Sequence, residues 1–416
     1  MRLQVGWLDD HPLRIPCGRC GILIFGTAFF DQKKAGLRYE IKNASSIDES
    51  NPDFYIEASA ELLTEKLRPH KGPYHWSPPP FFQNLWAMGN EHYSDFKGRA
   101  LQFLALCKTE WPTVRRVNEL WLKGQHSYLR DQLRNYLPEK QFPLTNIAEL
   151  LRGVHQLNLL FVWPLLDSTR FDRATKTLFK ILPLLAQKYS KSLTELVAHF
   201  EESGLLLSFE EKILRRIGHL VETFKFLLPV LALRFYEKRP RNLFTQKGTT
   251  TSSVDDVKSF YSDSFEELLD IAILHCAYNN LSHRGSFRSM ASKRKDIVTL
   301  ADLQAKAKGD RLQFVTDKER FDFLFRPGVD NRLRNALAHA SYSYDAVTQR
   351  ISYYPSGVQG KGECKKIYLM NLLERCWDAF LITIDYAELI YQTRKLYYVL
   401  VKGEKTVHPR VFQPGG

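Results

Sequence analysis

A cation, an amide and an imidazole lie within two helical turns near the end of this 416-residue chain. They are Arg334, Asn335 and His339. A guanidinium can hold a phosphate through two parallel hydrogen bonds, and an imidazole changes its protonation near neutral pH. These residue types therefore predict cleavage of a phosphodiester by acid–base chemistry that needs no metal ion.

The spacing of these residues predicts how they must be positioned. We expect one helix, from about Asp330 to Ala340, to carry all three. His339 follows Asn335 by four positions, so those two side chains share a helical face. It follows Arg334 by five positions, which is about 140° around an ideal helix. Arg334 and His339 of one chain therefore cannot form a compact site, and a second motif from a dimer partner would complete it.

The pattern Arg334-Asn335-x-x-x-His339 resembles the R-x4–6-H motif of the HEPN superfamily, in its Arg-Asn form. The flanks agree with this resemblance. The polar run 330–333 would cap the motif helix, and the run 340–345 forms a turn into extended chain, as in many HEPN proteins. The resemblance covers about residues 255–400.

The resemblance implies an all-α domain that dimerises and places two motifs in one cleft. Many members are metal-independent endoribonucleases of toxin–antitoxin, abortive-infection and CRISPR-linked defence systems. Arg334 would clamp the scissile phosphate, and Asn335 would orient His339 or a phosphate oxygen. His339 would act as base on the 2′-hydroxyl or as acid on the leaving oxygen, with its counterpart on the other protomer in the opposite role. The products would be a 2′,3′-cyclic phosphate and a 5′-hydroxyl.

By the same analogy the protein would be a toxin or effector in bacterial antiphage defence, working as a homodimer. Its N-terminal and central regions would sense a trigger or restrain the nuclease, and an antitoxin or sensor protein would be a partner.

Other interpretations of the motif stay open. Arg334 could be a solvated helix residue and His339 a C-terminal cap favoured by the helix dipole. A non-catalytic HEPN protein that binds RNA or protein within a larger complex is a further alternative. A zinc-dependent DNA-binding regulator is the weakest alternative, because the chain has no recognisable helix-turn-helix.

Three further residues are candidate RNA contacts. Arg332 lies in the motif helix, and His283 and Arg284 lie near the end of the first C-terminal helix. HEPN proteins often line the cleft with polar residues from that helix. A polar helix end is the simpler interpretation of His283 and Arg284.

The run from Cys17 to Gly21, Cys-Gly-Arg-Cys-Gly, has the sequence of a zinc knuckle, with two thiolates on a tight turn. A structural zinc takes four ligands, and no second C-x-x-C follows. His11, His70 and His75 could complete the set, or two half-sites could share zinc across a dimer. A knuckle without metal, or two buried thiols, is the alternative. Catalysis itself would need no cofactor.

The composition indicates a partner and a compartment. A net charge of +13, from 59 basic and 46 acidic residues, favours a polyanionic partner, and together with the motif it points to RNA, either tRNA or mRNA.

The scattered cysteines and the lack of a signal peptide predict a cytoplasmic protein. The most apolar stretches, 157–166 and 226–233, are shorter than the ~20 residues that span a bilayer, so we expect no membrane segment. No P-loop, dinucleotide fingerprint or zinc-protease motif is present.

The predicted fold is mainly α with a β-rich N-terminal domain, hence α+β overall. Alternating apolar residues predict the β-rich domain over 1–75, and a proline cluster follows it. Helical periodicity predicts a scaffold or partner-binding region over 81–240. A linker over 237–254 leads to a HEPN-like helical bundle over 255–400, with a short β-hairpin after the motif helix.

Two helices and two strands are indicated most clearly. Ser208 and Glu211, in capping-box spacing, predict one helix start. An apolar stripe from Phe265 to Cys276 predicts a helix that starts near Asp255. The hairpin strands, joined by a glycine-rich loop, are predicted at 351–354 and 366–369.

Overall fold

The computed structural model is mainly α-helical with several small sheets, which agrees with the predicted α+β class. It describes residues 1–4, 6–31, 36–45, 47, 52–69, 78–291, 293–315, 319–325 and 328–405. The helices in these residues are α1 (Pro80–Met88), α2 (Asn90–Thr109), α3 (Trp111–Leu122), α4 (His126–Arg134), α5 (Ile147–Val162), α6 (Ser168–Lys188), α7 (Ser190–Glu202), α8 (Leu205–Leu233), α9 (Leu243–Gln246), α10 (Val254–Arg284), α11 (Leu300–Ala305), α12 (Lys308–Val315), α13 (Asn331–Ala338) and α14 (Leu369–Leu400). Short 3-10 turns occur at Trp163–Leu165 and Asp322–Leu324.

The strands are short and pair in five small sheets. They are β1 (Arg2–Gln4), β2 (Asp10–Pro16), β3 (Leu23–Asp31), β4 (Gly36–Lys42), β5 (Phe54–Tyr55), β6 (Glu57–Ser59), β7 (Thr64–Glu65), β8 (Arg68–Pro69), β9 (Lys247–Gly248), β10 (Tyr342–Asp345), β11 (Arg350–Tyr353) and β12 (Lys365–Tyr368). Antiparallel sheets are formed by β2-β3-β4, β5-β8, β7-β9 and β10-β11-β12, whereas β1 and β6 pair in parallel.

Contacts divide the chain into two compact units, each made of three stretches. One unit contains Met1–Leu101, His219–Phe265 and Gly328–Phe380. The other contains Gln102–Gly218, Glu266–Pro327 and Leu381–Gly416. This division cuts across the three consecutive domains predicted from the sequence, whose boundaries stay predictions.

The N-terminal strands build a small core in the first unit. Leu13 on β2, Ala28 on β3 and Ala58 on β6 are at most 1% exposed and pack together. Leu3 and Ile15 lie against them. Alternation along β2 and β3 places these side chains on one face of the sheet.

The second half of the predicted linker is not an exposed segment. Residues 249–253 are at most 1% exposed, and β9 just before them pairs with β7. The Thr250 hydroxyl donates to the Ser59 carbonyl at 3.3 Å, and the Thr251 hydroxyl donates to the Ser59 and Ala60 carbonyls at 3.0 Å. Hydroxyls that satisfy buried backbone groups allow a polar run to be packed inside, so this part of the predicted linker is packed and not exposed.

One predicted helix start is confirmed and one is wrong. The helix α10 begins at Val254, next to the expected Asp255. The helix α8 begins at Leu205, three residues before the expected cap Ser208. Gly204, with φ of 74°, separates α7 from α8, and the backbone N–H of Ser208 already donates to the Gly204 carbonyl at 3.1 Å.

The strands after the motif helix are present, with a third beside them. The expected hairpin strands are β11 and β12, and β10 pairs with β11 to make a three-stranded sheet. None of the described helices combines the length and the apolar content that crossing a lipid bilayer requires.

Candidate functional site

The motif helix α13 is fixed at its start by Asp330. The Asp330 side chain accepts a hydrogen bond from the backbone N–H of Arg332 at 2.9 Å, which caps the helix as the sequence predicts. Its other oxygen accepts one from Arg375 at 3.0 Å. Its backbone N–H donates to the hydroxyl of Tyr261 at 3.0 Å. Burial raises the pKa of Tyr261 to about 12, so this hydroxyl stays neutral.

One face of α13 packs inside and the other carries the candidate chemistry. Leu333, Ala336 and Leu337 are buried, at the spacing expected of an amphipathic helix. Arg334 and Asn335 are half-buried, and Arg332 is exposed. The packed face therefore fixes the backbone that presents the polar residues.

The motif helix ends at His339 with a backbone conformation that the sequence pattern does not predict. His339 is the C-terminal cap residue, and its side chain is exposed. Ala340 follows in the left-handed region with φ of 51°. The backbone N–H of Ser341 donates to the Ala336 carbonyl at 2.9 Å, and that of Ala340 to the Leu337 carbonyl at 3.4 Å. These two hydrogen bonds form the Schellman motif, which ends the helix directly after His339.

The Arg334 guanidinium has partners within its own chain. Its Nη1 donates to the side-chain oxygen of Asn335 at 2.9 Å. Its central carbon lies 5.8 Å from the centre of the Phe265 ring, which is 1% exposed on α10. A ring face attracts a cation, so Phe265 and Asn335 together restrict where the guanidinium can lie.

The imidazole of His339 lies against the loop between β11 and β12. A Cβ added to Gly357 would come within 2.9 Å of Cδ2 of His339. Gly357 also has φ of 75°, a backbone conformation that other residues rarely adopt. The loop backbone can therefore approach the imidazole only because residue 357 is glycine.

Spacing alone could not identify two of these neighbours. Phe265 is predicted correctly as part of the apolar stripe of α10, but nothing in that stripe indicates a cation above its ring. Gly357 belongs to the glycine-rich loop that the sequence predicts, but its contact with His339 depends on how the sheet returns the chain. Neither residue has a sequence signal for its role at the site.

The candidate RNA contacts His283 and Arg284 fall in the other compact unit, at the end of α10. Arg284 pairs with Glu319 at 3.0 Å and donates to the side-chain oxygen of Asn280 at 2.8 Å. His283 Nε2 accepts a hydrogen bond from the backbone N–H of Arg320 at 3.1 Å. These interactions are typical of a polar helix end. None of the three partner residues lies in the motif helix α13.

The candidate metal ligands Cys17 and Cys20 lie at the tip of the β2–β3 hairpin. Both are free thiols, with Cys17 half-buried and Cys20 exposed. Fully buried His11 lies at the far end of β2, and His70 and His75 lie outside the described residues. Across the residues that the structure describes, no three His, Cys, Asp or Glu side chains gather as a metal site would require.

The arrangement can support acid–base chemistry on a bound anion. The exposed imidazole of His339 and the restrained guanidinium of Arg334 both lie within residues 331–339. Arg332 adds an exposed positive charge to the same segment. No protein-family model, no curated protein and no solved structure matches the chain.

Proposed function

We propose that this protein is a metal-independent endoribonuclease of the HEPN type. The observation that carries the proposal is the exposed imidazole of His339 at the end of α13, in the same short segment as the restrained Arg334–Asn335 pair. RNA cleavage needs a group that binds the phosphate and a group that transfers protons, and this segment supplies a guanidinium for the first and an imidazole for the second. The net charge of +13 favours a polyanionic substrate.

In the proposed reaction the ribose 2′-oxygen attacks the adjacent phosphorus. One His339 removes the proton from the 2′-hydroxyl as the new P–O bond forms. The His339 of the partner copy, protonated at the start, gives its proton to the 5′-oxygen as the P–O5′ bond breaks. Arg334 stabilises the extra charge on the phosphorane oxygens. The products are a 2′,3′-cyclic phosphate and a 5′-hydroxyl.

The proposal requires two copies of the chain. His339 follows Arg334 by five positions, which is about 140° around a helix, and it lies where the helix ends. The guanidinium is held toward Phe265 within its own chain. A twofold arrangement of two α13 segments would place the guanidinium of one copy beside the imidazole of the other.

We further propose that the motif lies in a HEPN-like helical bundle and that the enzyme acts in bacterial defence. A cytoplasmic toxin that cuts tRNA or mRNA would need restraint, by an antitoxin or by the rest of the chain. Induced expression of the parent chain should then slow bacterial growth, alone or on phage challenge, and Arg334→Ala should remove that effect. This step rests on analogy with the superfamily.

Two observations favour the non-catalytic alternative, a module that binds RNA or protein. Arg334 is already engaged by Asn335 and Phe265, and a cap position at a helix end suits a histidine for structural reasons alone. In that case the protein would bind RNA with a steep salt dependence and release no cut product.

The two functions separate in one assay. Purified protein is incubated with end-labelled tRNA and mRNA, with and without EDTA. We expect cleavage that EDTA does not abolish and products that end in a cyclic phosphate. His339→Ala should slow cleavage by roughly 10²–10⁴-fold. Because His339 is exposed, the variant should keep the circular dichroism spectrum of the parent. Equal rates for variant and parent, or loss of cleavage in EDTA, would exclude the proposed mechanism.

A further inference from the structure

The hairpin tip that joins β2 to β3 has a defined backbone conformation. Its six residues run from Cys17 to Ile22. The backbone N–H of Cys17 donates to the Ile22 carbonyl at 2.8 Å, and that of Gly21 donates to the Cys17 carbonyl at 2.9 Å. Gly21 has φ of 71°, which turns the chain directly after Cys20. The two cysteines are thus held on one tight turn.

The sulfur of Cys17 is surrounded by donors from the same turn. It faces the backbone N–H groups of Cys20 and Arg19 and the thiol of Cys20. Amides aimed at a sulfur stabilise a thiolate, and donors from the second and third residues after the cysteine offset the charge of a metal-bound sulfur.

Neighbouring side chains hold the tip in place. A Cβ on Gly18 would lie 2.4 Å from the Phe54 ring, so the turn packs directly on that ring. Arg19 donates from Nε to Asp53 at 3.0 Å. The pair of thiols is therefore preorganised and does not depend on a metal to bring it together.

The described part of one chain supplies only half of a metal site here. A structural zinc takes four ligands, and the described residues contain no cluster of three. His11 is 0% exposed and precedes Cys17 by six residues of extended chain, which is roughly 20 Å at the usual rise per residue. Two ligand positions therefore stay open, at a thiol pair that includes the exposed Cys20.

We propose that Cys17 and Cys20 bind Zn²⁺ as half of a tetrathiolate site, which the same two cysteines of a second copy of this chain complete. A twofold axis through the metal makes the contact self-complementary. Binding converts four thiols to thiolates and releases four protons, with no oxidation or reduction. The site is independent of the ribonuclease proposal, since it lies on other residues and its test needs no RNA.

Metal content and oligomeric state test the proposal together. The full chain is expressed in zinc-supplemented medium and purified in a reducing buffer without a histidine tag. It is then analysed for zinc by mass spectrometry and for molar mass by light scattering. We expect a dimer with about one zinc per two chains, and X-ray absorption should show four sulfurs at about 2.3 Å. Replacing both cysteines, Cys17→Ser with Cys20→Ser, should reduce bound zinc at least about tenfold.

Cys364→Ser is the matched control, because Cys364 is also an exposed free thiol but has no nearby second cysteine in sequence. Its zinc content should equal that of the parent. If the double variant does not fold, Co²⁺ titration of the metal-stripped parent replaces it, and the thiolate absorption should saturate at about half an equivalent per chain. One zinc per monomeric chain, a site with nitrogen ligands, no bound metal, or zinc retained by the double variant would each overturn the proposal.

Discussion

The side-chain oxygen of Asn335 accepts a hydrogen bond from Nη1 of Arg334 at 2.9 Å. In the sequence Asn335 is expected to orient His339, with which it shares a helical face, or a phosphate oxygen. The structure instead pairs Asn335 with the guanidinium beside it. If Arg334 binds the scissile phosphate, Asn335 determines which way the guanidinium is presented.

The role of Asn335 gives a graded prediction. Asn335→Ala removes one hydrogen bond to the guanidinium and should slow RNA cleavage about tenfold. Asn335→Asp gives Arg334 a permanent anionic partner that competes with the phosphate, so its rate should fall further, by about 10²-fold. Initial rates on labelled RNA measure both effects. Asn331→Ala, on the same helix, is the control and should cut at the parent rate. An Asn335→Asp protein as active as the parent would refute this role.

Gly357 allows a test of the loop that touches His339. Gly357→Ala should cost about 1 kcal/mol in folding free energy from backbone strain and should also displace the imidazole. Gly360→Ala is matched, because Gly360 has φ of 77° but open space around its Cβ. Both variants should show lower urea midpoints. Only Gly357→Ala should shift the His339 imidazole resonances in NMR and slow cleavage. Identical spectra for the two variants would mean that the loop does not position His339.

Ala340 should be a stabilising site. It holds a left-handed conformation that costs an L-residue energy, and glycine adopts it without that penalty. Ala340→Gly should therefore raise the free energy of unfolding by about 0.5–1 kcal/mol. Ala338→Gly, two residues earlier and at the last position of the helix, should lower it by up to about 1 kcal/mol. Urea denaturation followed by circular dichroism checks the opposite signs, and two changes of the same sign would contradict the described helix end.

Glu61 predicts a pH dependence of stability in the N-terminal region. Burial raises its pKa to about 7, although the backbone N–H groups of Trp7 and Leu8 donate to it at 2.9 and 3.2 Å. A carboxyl whose pKa is higher in the folded than in the unfolded state stabilises the fold while it is protonated. The free energy of unfolding should therefore fall as pH rises from about 4.3 to 7, by at most about 4 kcal/mol.

Glu61→Gln isolates this contribution, because the amide oxygen can still accept from Trp7 and Leu8 while the side chain stays neutral. The variant should be more stable than the parent at pH 8 and should show little advantage at pH 4. Urea midpoints of both proteins across this range provide the measurement. A constant difference between the two proteins at every pH would show that Glu61 does not titrate as described.

Local patterns in the sequence predict local structure well here. The stripe from Phe265 to Cys276 gives the helix α10, and the polar Asp330 gives the cap of α13, because both depend on neighbours a few residues away. The buried run 249–253 shows the limit. Its hydroxyls satisfy the Ser59 and Ala60 carbonyls, almost two hundred residues away in sequence, and no local pattern carries that information.

The candidate site also combines features that the sequence predicts with contacts that it does not predict. The residue types and the single helix follow from the sequence. The hydrogen bond between Arg334 and Asn335 does not, because adjacent residues on a helix point about 100° apart and meet only through a particular choice of rotamers. The helix end at His339 is followed by the left-handed Ala340, at a position where glycine or asparagine would be the usual signal.

The central claim is that Arg334 of one copy works with His339 of the other. Mixing Arg334→Ala protein with His339→Ala protein, after unfolding and refolding together, tests it directly, because a mixed dimer keeps one guanidinium and one imidazole on opposite chains. We predict that the mixture cuts labelled RNA at least about tenfold faster than either variant refolded alone, yet more slowly than the parent, since the second imidazole is missing. A mixture no faster than the separate variants, although mixed dimers are detected by mass spectrometry, would contradict the composite site.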